Sequence, residues 1–399
     1  MKFLFIGQGY PGVPGTGMGS GIGMYLYELT QGLAEKGHEC HVVVWANKKP
    51  AAVLPWKRIE PAKIINNYSI EKVKNDRIEI HIVQHGYYHL LERFFPDKYD
   101  EELLAIVVLY LEQQYCFDVI EIEHEEGIAI KSQKLFPEKT ILRVHTTLAQ
   151  MVETKDVKIL PLVKYHLDRE KESIKTAHFI TVPSSLHAQQ IKDVFNTSAV
   201  IEVIPNGRFK INQIKKCYEN TRQVPVFLFV GSADRRKGLD LFRGIMDRYA
   251  EKYGPCELRI ISRCSEEKKK EWRLIPPFPA GCKITWKENL SEEELESEYI
   301  NASVLLHPAR YESFGLSLIE AAARETPVVC TCVGIAPDLL RGELEKFIVK
   351  TNDPDEWADR LHEAYEKRKE IGRILRERYE ENYTREKITE TFLDRISNY

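Results

Sequence analysis

Short apolar runs alternate with longer amphipathic stretches along almost the whole chain, and this alternation predicts β-strands interleaved with α-helices. In a first block the runs predict strands at 2–6, 40–45, 78–83, 119–122, 140–145, 179–182 and 200–204, with helices at 22–36, 101–115 and 186–195. Residues 50–75 mix charged and apolar positions without a steady period and are read as an irregular connection. The pattern breaks at Pro205-Asn206-Gly207 and the polar stretch 210–222. A second block predicts strands at 226–230, 257–262, 283–286, 302–307 and 326–331, and helices at 239–253 and 315–324. Pro276, Pro277 and Pro279 mark a surface loop, and from Asp355 onward apolar residues recur at helical spacing to the end of the chain.

Two blocks of strand–helix alternation imply an α/β chain with parallel sheets covered by helices on both faces. The expected domains are 1–207 and 208–382, with a closing helix within 383–399 returning to the first. Ligands of such sheets bind beyond the carboxyl ends of the strands, so the loops that follow strands are where chemistry is sought.

The length, 399 residues, fits two domains. With 57 basic and 60 acidic residues the net charge is −3, which gives no overall attraction to nucleic acid or anionic membrane. Eight cysteines in a chain that opens on a buried-type strand, with no apolar run of transmembrane length, point to a reduced, cytoplasmic protein. Cys330 and Cys332 lack the paired spacing of a zinc site and are read as core thiols. In the basic stretch from Lys155 to Lys175 two readings stand: a solvated helix face, or weak peripheral contact with anionic lipid.

Gly7-Gln8-Gly9-Tyr10-Pro11-Gly12 matches the dinucleotide fingerprint formally, but Pro11 and Pro14 prolong the loop, and the second strand ends on Ala46-Asn47-Lys48 without the acid that would hold a ribose. Its continuation through Gly15, Gly17, Gly19, Gly21 and Gly23 suits close approach of backbone amides to a diphosphate or sugar, the alternative being an open surface loop. Gly231 to Gly238 carries Arg235, Arg236 and Lys237 after a strand, placed either to neutralise a leaving diphosphate or as a solvated charge run. His145 ends a strand, where it binds a ligand or holds structure. Glu123-His124-Glu125-Glu126 also follows a strand, without metal-site spacing, and Asp353 with Asp355 is best explained by a helix N-cap. No metal site is assigned. The most informative stretch is Arg310 to Glu320, where Glu312 and Glu320 bracket a loop that turns at Gly315 into an apolar helix. Phosphate suits the amides there, and the acids serve other parts of the same ligand.

Taken together, the glycine loop with Glu28-Leu29 and Lys36-Gly37-His38-Glu39, the strand end at His145, Val182-Pro183-Ser184, Val203-Ile204-Pro205-Asn206-Gly207, Arg236-Lys237-Gly238, the E-x(7)-E pair Glu312 and Glu320, and Thr326-Pro327-Val328-Val329 resemble the retaining glycosyltransferases of family 4. The resemblance spans nearly the whole chain and is similar in detail to lipopolysaccharide-core glucosyltransferases. It implies the GT-B fold, two facing Rossmann-like domains with a C-terminal helix packed back on the first. It also implies a nucleotide-sugar donor, with a UDP-sugar favoured, no cofactor and no metal, and a glycan, lipid-linked or small-molecule acceptor bound by the first domain. By the same resemblance Glu320 holds the ribose and Glu312 lies near the donor sugar. Ser313, Phe314, Gly315, Leu316, Gly19, Gly21 and Ser232 line the donor, and Lys237, Arg236 and His145 act on its phosphates or sugar. Departures are Ser232 where the family has arginine, Phe209 where an acid is common, and Thr146 where glycine is common. Alternatives are a GT-B phosphorylase or epimerase, or an inactive nucleotide-sugar-binding subunit.

Overall fold

A computed structural model of the chain describes residues 1–7, 9–13, 21–46, 57–65, 68–84, 96–155, 159–207, 224–277 and 281–397. The first nine strands form one sheet: β1 (Lys2–Gly7), β2 (Glu39–Ala46), β3 (Lys57–Ile65), β4 (Tyr68–Asn75), β5 (Ile78–Gln84), β6 (Val119–Glu123), β7 (Thr140–Arg143), β8 (Phe179–Val182) and β9 (Val200–Val203). Their order is β3-β4-β5-β2-β1-β6-β7-β8-β9. From β5 to β9 all neighbours run parallel, while β4 is antiparallel to both β3 and β5. The irregular connection expected at 50–75 is therefore corrected: β3 and β4 form a hairpin that extends the sheet at its edge, and a wholly parallel sheet becomes a mixed one. An edge strand needs only one well-packed face, so charged residues interleave with its apolar ones and blur the period.

Side chains alternate across β1. Phe3 and Phe5 enter a core on one face; Leu4 and Ile6 enter a second core on the other. The first of these cores also receives Ile388, Phe392 and Ile396 from the C-terminal helix Arg385–Ile396, which thus returns to the opening sheet. Arg385 anchors that return, donating to Glu28 at 2.5 Å and Glu35 at 2.6 Å.

The second sheet consists of β10 (Val226–Val230), β11 (Cys256–Ile261), β12 (Cys282–Lys287), β13 (Val304–His307), β14 (Val328–Thr331) and β15 (Ile348–Val349). It is parallel throughout, in the order β12-β11-β10-β13-β14-β15. That is the doubly wound order, with its reversal between β10 and β13. The first sheet reverses in the same way between β1 and β6. Helix Pro354–Glu366 begins as expected, with the Asp353 side chain accepting from the Asp355 amide. Two helices the apolar period did not reveal, Glu266–Glu271 and Glu292–Asn301, are capped by Ser265 and Ser291. Among the described residues, no helix is long and apolar enough to cross a membrane.

Candidate active site

Loops after β10 and β13 meet at the switch point of the second sheet. Beyond Val230 the chain turns through Gly231 and Ser232 into a 3-10 turn at Arg235–Lys237, capped by Asp234, whose Oδ1 accepts from the Lys237 amide at 3.0 Å. The loop after β13 is tied to it, the Arg310 amide donating to the Arg236 carbonyl at 2.7 Å. Here Glu312 meets its partners. The Lys237 ammonium donates to Glu312 Oε1, Arg236 lies 3.8 Å from Oε2, and His307 Nε2 lies 3.4 Å from Oε1. Burial, then the Arg236 guanidinium, push the Lys237 ammonium down to about 7, while Asp234 favours the charged form. His307 is fully buried; burial, reinforced by Lys237 and Arg236, holds it well below its ordinary range and therefore neutral.

Gly315, at φ 92°, provides the left-handed turn into helix Leu316–Ala322, which is shorter at its end than the 315–324 expected. Glu320 lies on the buried side of that helix, and its Oε2 accepts from the Tyr299 hydroxyl at 2.5 Å. Tyr299 belongs to helix Glu292–Asn301, so this polar helix positions the second acid of the motif.

The first domain answers from across the cleft. His145 follows β7 and is buried beneath it; burial, then Arg143, His124 and His187, hold its imidazole well below the ordinary range. His145 Nε2 has no hydrogen-bond partner among the described residues. His187 Nε2 donates to the His145 carbonyl at 2.8 Å, which leaves Nδ1 to accept from the Tyr311 hydroxyl at 3.0 Å. Two further bonds cross between domains: Thr146 donates to the Ser313 hydroxyl at 3.2 Å, and Ser184 to the Ser313 carbonyl at 2.7 Å.

These groups enclose one cavity of about 540 Å³. Of the residues singled out in the sequence, Gly21, His145, Arg236, Lys237, Glu312, Ser313, Phe314, Gly315, Leu316 and Glu320 line it. Ser232 does not: its hydroxyl donates to Asp234 at 2.9 Å and so supports the turn below the cations. Gly19 and Phe209 lie outside the described residues. Asn206, read in the sequence only as part of the break between blocks and of the family resemblance, and Glu125, read only against metal-site spacing, also line it, as do Met151 and Leu295, which carry no motif. For Glu125 a signal existed, since it lies two residues beyond β6, the strand beside β1 at the first sheet's reversal.

Two family models tile the chain: "Glycosyltransferase Family 4" over residues 19–208 and "Glycosyl transferases group 1" over 210–386. The chain belongs to the family 4 glycosyltransferases. An uncharacterized glycosyltransferase of Methanocaldococcus jannaschii is 22% identical to this glycosyltransferase over 353 residues, spanning 85% of this chain and 83% of the relative. Sucrose-phosphate synthase from Thermosynechococcus elongatus matches the fold with a TM-score of 0.73 at 18% identity, covering 100% and 98% of the two chains. HepE of Anabaena, solved in complex with UDP and glucose, matches with a TM-score of 0.66 at 15% identity and 100% of both chains. The GT-B architecture of this glycosyltransferase is thereby shown; the likeness to lipopolysaccharide-core enzymes stays a matter of the Arg236-Lys237-Gly238 segment.

Proposed function

We propose that the protein transfers a sugar from a nucleotide-sugar donor, a UDP-sugar in the favoured case, to a hydroxyl of a glycan, lipid-linked or small-molecule acceptor, retaining the anomeric configuration and requiring no metal. The observation that carries this reading is the placement of Lys237 and Arg236 against Glu312 at the second sheet's switch point, in one cavity with Glu320 and with His145 of the facing domain. A diphosphate entering there exchanges one anion, the Glu312 carboxylate, for another, and the two cations stabilise the charge that develops as the nucleotide leaves. Glu320, held by Tyr299, is set to accept from ribose hydroxyls. His145, neutral, donates to or accepts from the sugar, and the cross-domain bonds at Ser313 keep the halves closed on the reaction. UDP in the Anabaena neighbour supports the choice of base.

The test is incubation of purified chain with UDP-, GDP- and ADP-sugars, with and without EDTA, following donor binding, nucleoside diphosphate release and the anomeric proton of any new glycoside by NMR. No response to any donor counts against the reading; loss of activity in EDTA or an inverted product removes its finer parts. Release of nucleoside diphosphate alongside a new glycoside separates transfer from phosphorolysis or epimerisation. A cytoplasmic location is supported by the described cysteines, all free thiols, with Cys40, Cys256, Cys282 and Cys330 buried. Weak peripheral membrane contact is supported by Ile159, Leu160 and Leu162, each about 60% exposed beside Lys164; sedimentation with anionic liposomes tests it.

A further inference from the structure

Three carboxylates line the cavity, and two of them are engaged: Glu312 by Lys237 and Arg236, Glu320 by Tyr299. The third, Glu125, faces the cavity from the first domain with no hydrogen bond or ion pair to its side chain among the described residues. It is half-buried, and burial raises its carboxyl above the ordinary range against the partial relief of His124. A half-buried acid without a partner contributes nothing to folding. Its position is the switch point of the first sheet, at the carboxyl end of β6 and beside β1, where a doubly wound sheet receives its ligand.

The turn that presents Glu125 is fixed from below. Glu126 adopts φ 54°, a left-handed conformation that a side chain resists, and Gly127 follows at φ 69°. A Cβ on Gly127 would come within 2.8 Å of the Arg169 carbonyl, so the approach admits only glycine. Arg169 clamps both residues, donating to the Glu126 carbonyl at 3.2 Å and the Gly127 carbonyl at 3.1 Å, while its NH2 also meets Glu101 at 2.7 Å. On the other side His124 Nε2 lies 3.1 Å from the Glu170 carboxylate. Burial works against the charged imidazole, yet Glu170 holds His124 above its ordinary range. The backbone on the far side of Glu125 is thus held by Arg169, and the Glu125 carboxylate itself is left to the cavity.

Resting on the transfer reading above, we propose that Glu125 binds the acceptor, its carboxylate accepting a hydrogen bond from a hydroxyl of a neutral sugar or polyol that carries no phosphate at that position. A hydroxyl there gains a charge-assisted bond to a desolvated anion. A phosphate would meet a like charge across low-dielectric surroundings, and the cavity cations Arg236 and Lys237 are turned onto Glu312 in the opposite domain. Glu125 therefore selects the acceptor class while taking no part in holding the donor.

The test uses the full chain with the nucleotide-sugar it binds and paired acceptors at millimolar concentration: glucose, methyl α-glucoside and myo-inositol against glucose 6-phosphate and myo-inositol 1-phosphate, with products read by mass spectrometry. The wild type is expected to glycosylate neutral members. Glu125→Gln should raise the acceptor KM about 10- to 100-fold, the loss of one bond to a charged group, with kcat at saturating acceptor and UDP affinity within about twofold. Glu125→Lys should reverse the preference toward the phosphorylated members; if that variant does not fold, Glu125→Gln decides alone. Wild-type preference for the phosphate esters, an unchanged acceptor KM in Glu125→Gln, or donor hydrolysis or binding with no use of any neutral member overturns the assignment. Failure of the wild type to bind or turn over any donor counts against the transferase reading instead.

Discussion

Replacing Glu312 by glutamine separates the two tasks this carboxylate holds. In the ligand-free protein it is the counter-charge of Lys237 and Arg236, and the three side chains are only 13%, 15% and 11% exposed for Lys237, Arg236 and Glu312 respectively. Glutamine matches the shape but leaves two cations side by side, with Asp234, 3.6 Å from Arg236, as their remaining acid. Breaking one member of a fully buried pair costs about 3–5 kcal/mol, and of an exposed pair about 0–1 kcal/mol. Given this exposure the site lies nearer the buried limit, so about 2–3 kcal/mol is expected, or roughly 5–10 °C in Tm. A bound diphosphate restores the missing negative charge, and at about 100 times its Kd UDP adds about 2.7 kcal/mol to either protein. Because no carboxylate then competes for the cations, UDP should bind the variant about 3- to 10-fold more tightly, a gain of about 1 kcal/mol. Transfer, by contrast, should fall about 100-fold, since Lys237 loses the partner that aims it. Calorimetric unfolding with and without UDP, together with titration calorimetry, decides the matter. A variant as stable as wild type, or one that binds UDP more weakly, refutes the competition between Glu312 and the donor phosphates.

Three further outcomes follow from the same geometry. Glu320→Ala should weaken UDP binding about 10- to 100-fold, the loss of a bond from ribose to a charged acceptor, measured by titration calorimetry; Tyr299→Phe, which removes only the supporting hydroxyl, should weaken it less. Lys237→Ala should lower kcat about 10²- to 10³-fold with a smaller change in donor KM, because the ammonium counts most when charge reaches the leaving diphosphate; steady-state kinetics at saturating acceptor checks this. His187 is buried and its pKa is lowered by that burial from 6.5 to about 4, so the unfolded chain binds a proton that the folded one refuses between those values. The stability this group confers is present above pH 6.5 and is lost as pH falls toward 4, at up to about 1.4 kcal/mol per pH unit. His187→Gln, which keeps a donor for the His145 carbonyl, should flatten the fall of Tm between those pH values; an unchanged slope contradicts the assignment.

Much of the fold was legible because buried parallel strands are nearly uniform in apolar character: β1, β8, β10 and β13 are placed within a residue or two. The hairpin β3–β4 was not, since its strands mix lysine, glutamate and isoleucine at the sheet edge, where one face suffices. Helix Glu292–Asn301 is half glutamate and shows no apolar period, although its capping box, Ser291 with Glu294, is readable. At the site, Glu312, Glu320, Arg236 and Lys237 could be picked out because their loops follow strands and carry charge in short runs. Glu125 stood in an equally charged run and was set aside for want of metal-site spacing; only the strand order, which puts β6 beside β1, marks it.

The sequence by itself determined most of the elements, their alternation in two blocks and the two loops of the second domain that carry opposite charge, because periodicity and turn chemistry act over a few residues. Tertiary structure decided how those charges are spent. Lys237 and Glu312 lie 75 positions apart and neutralise each other; Tyr299 reaches Glu320 across 21 positions; Ser184 and Ser313 join the domains across 129. Which carboxylate is satisfied and which is left facing the cavity is a property of packing distances and burial, and only the folded chain brings those terms together.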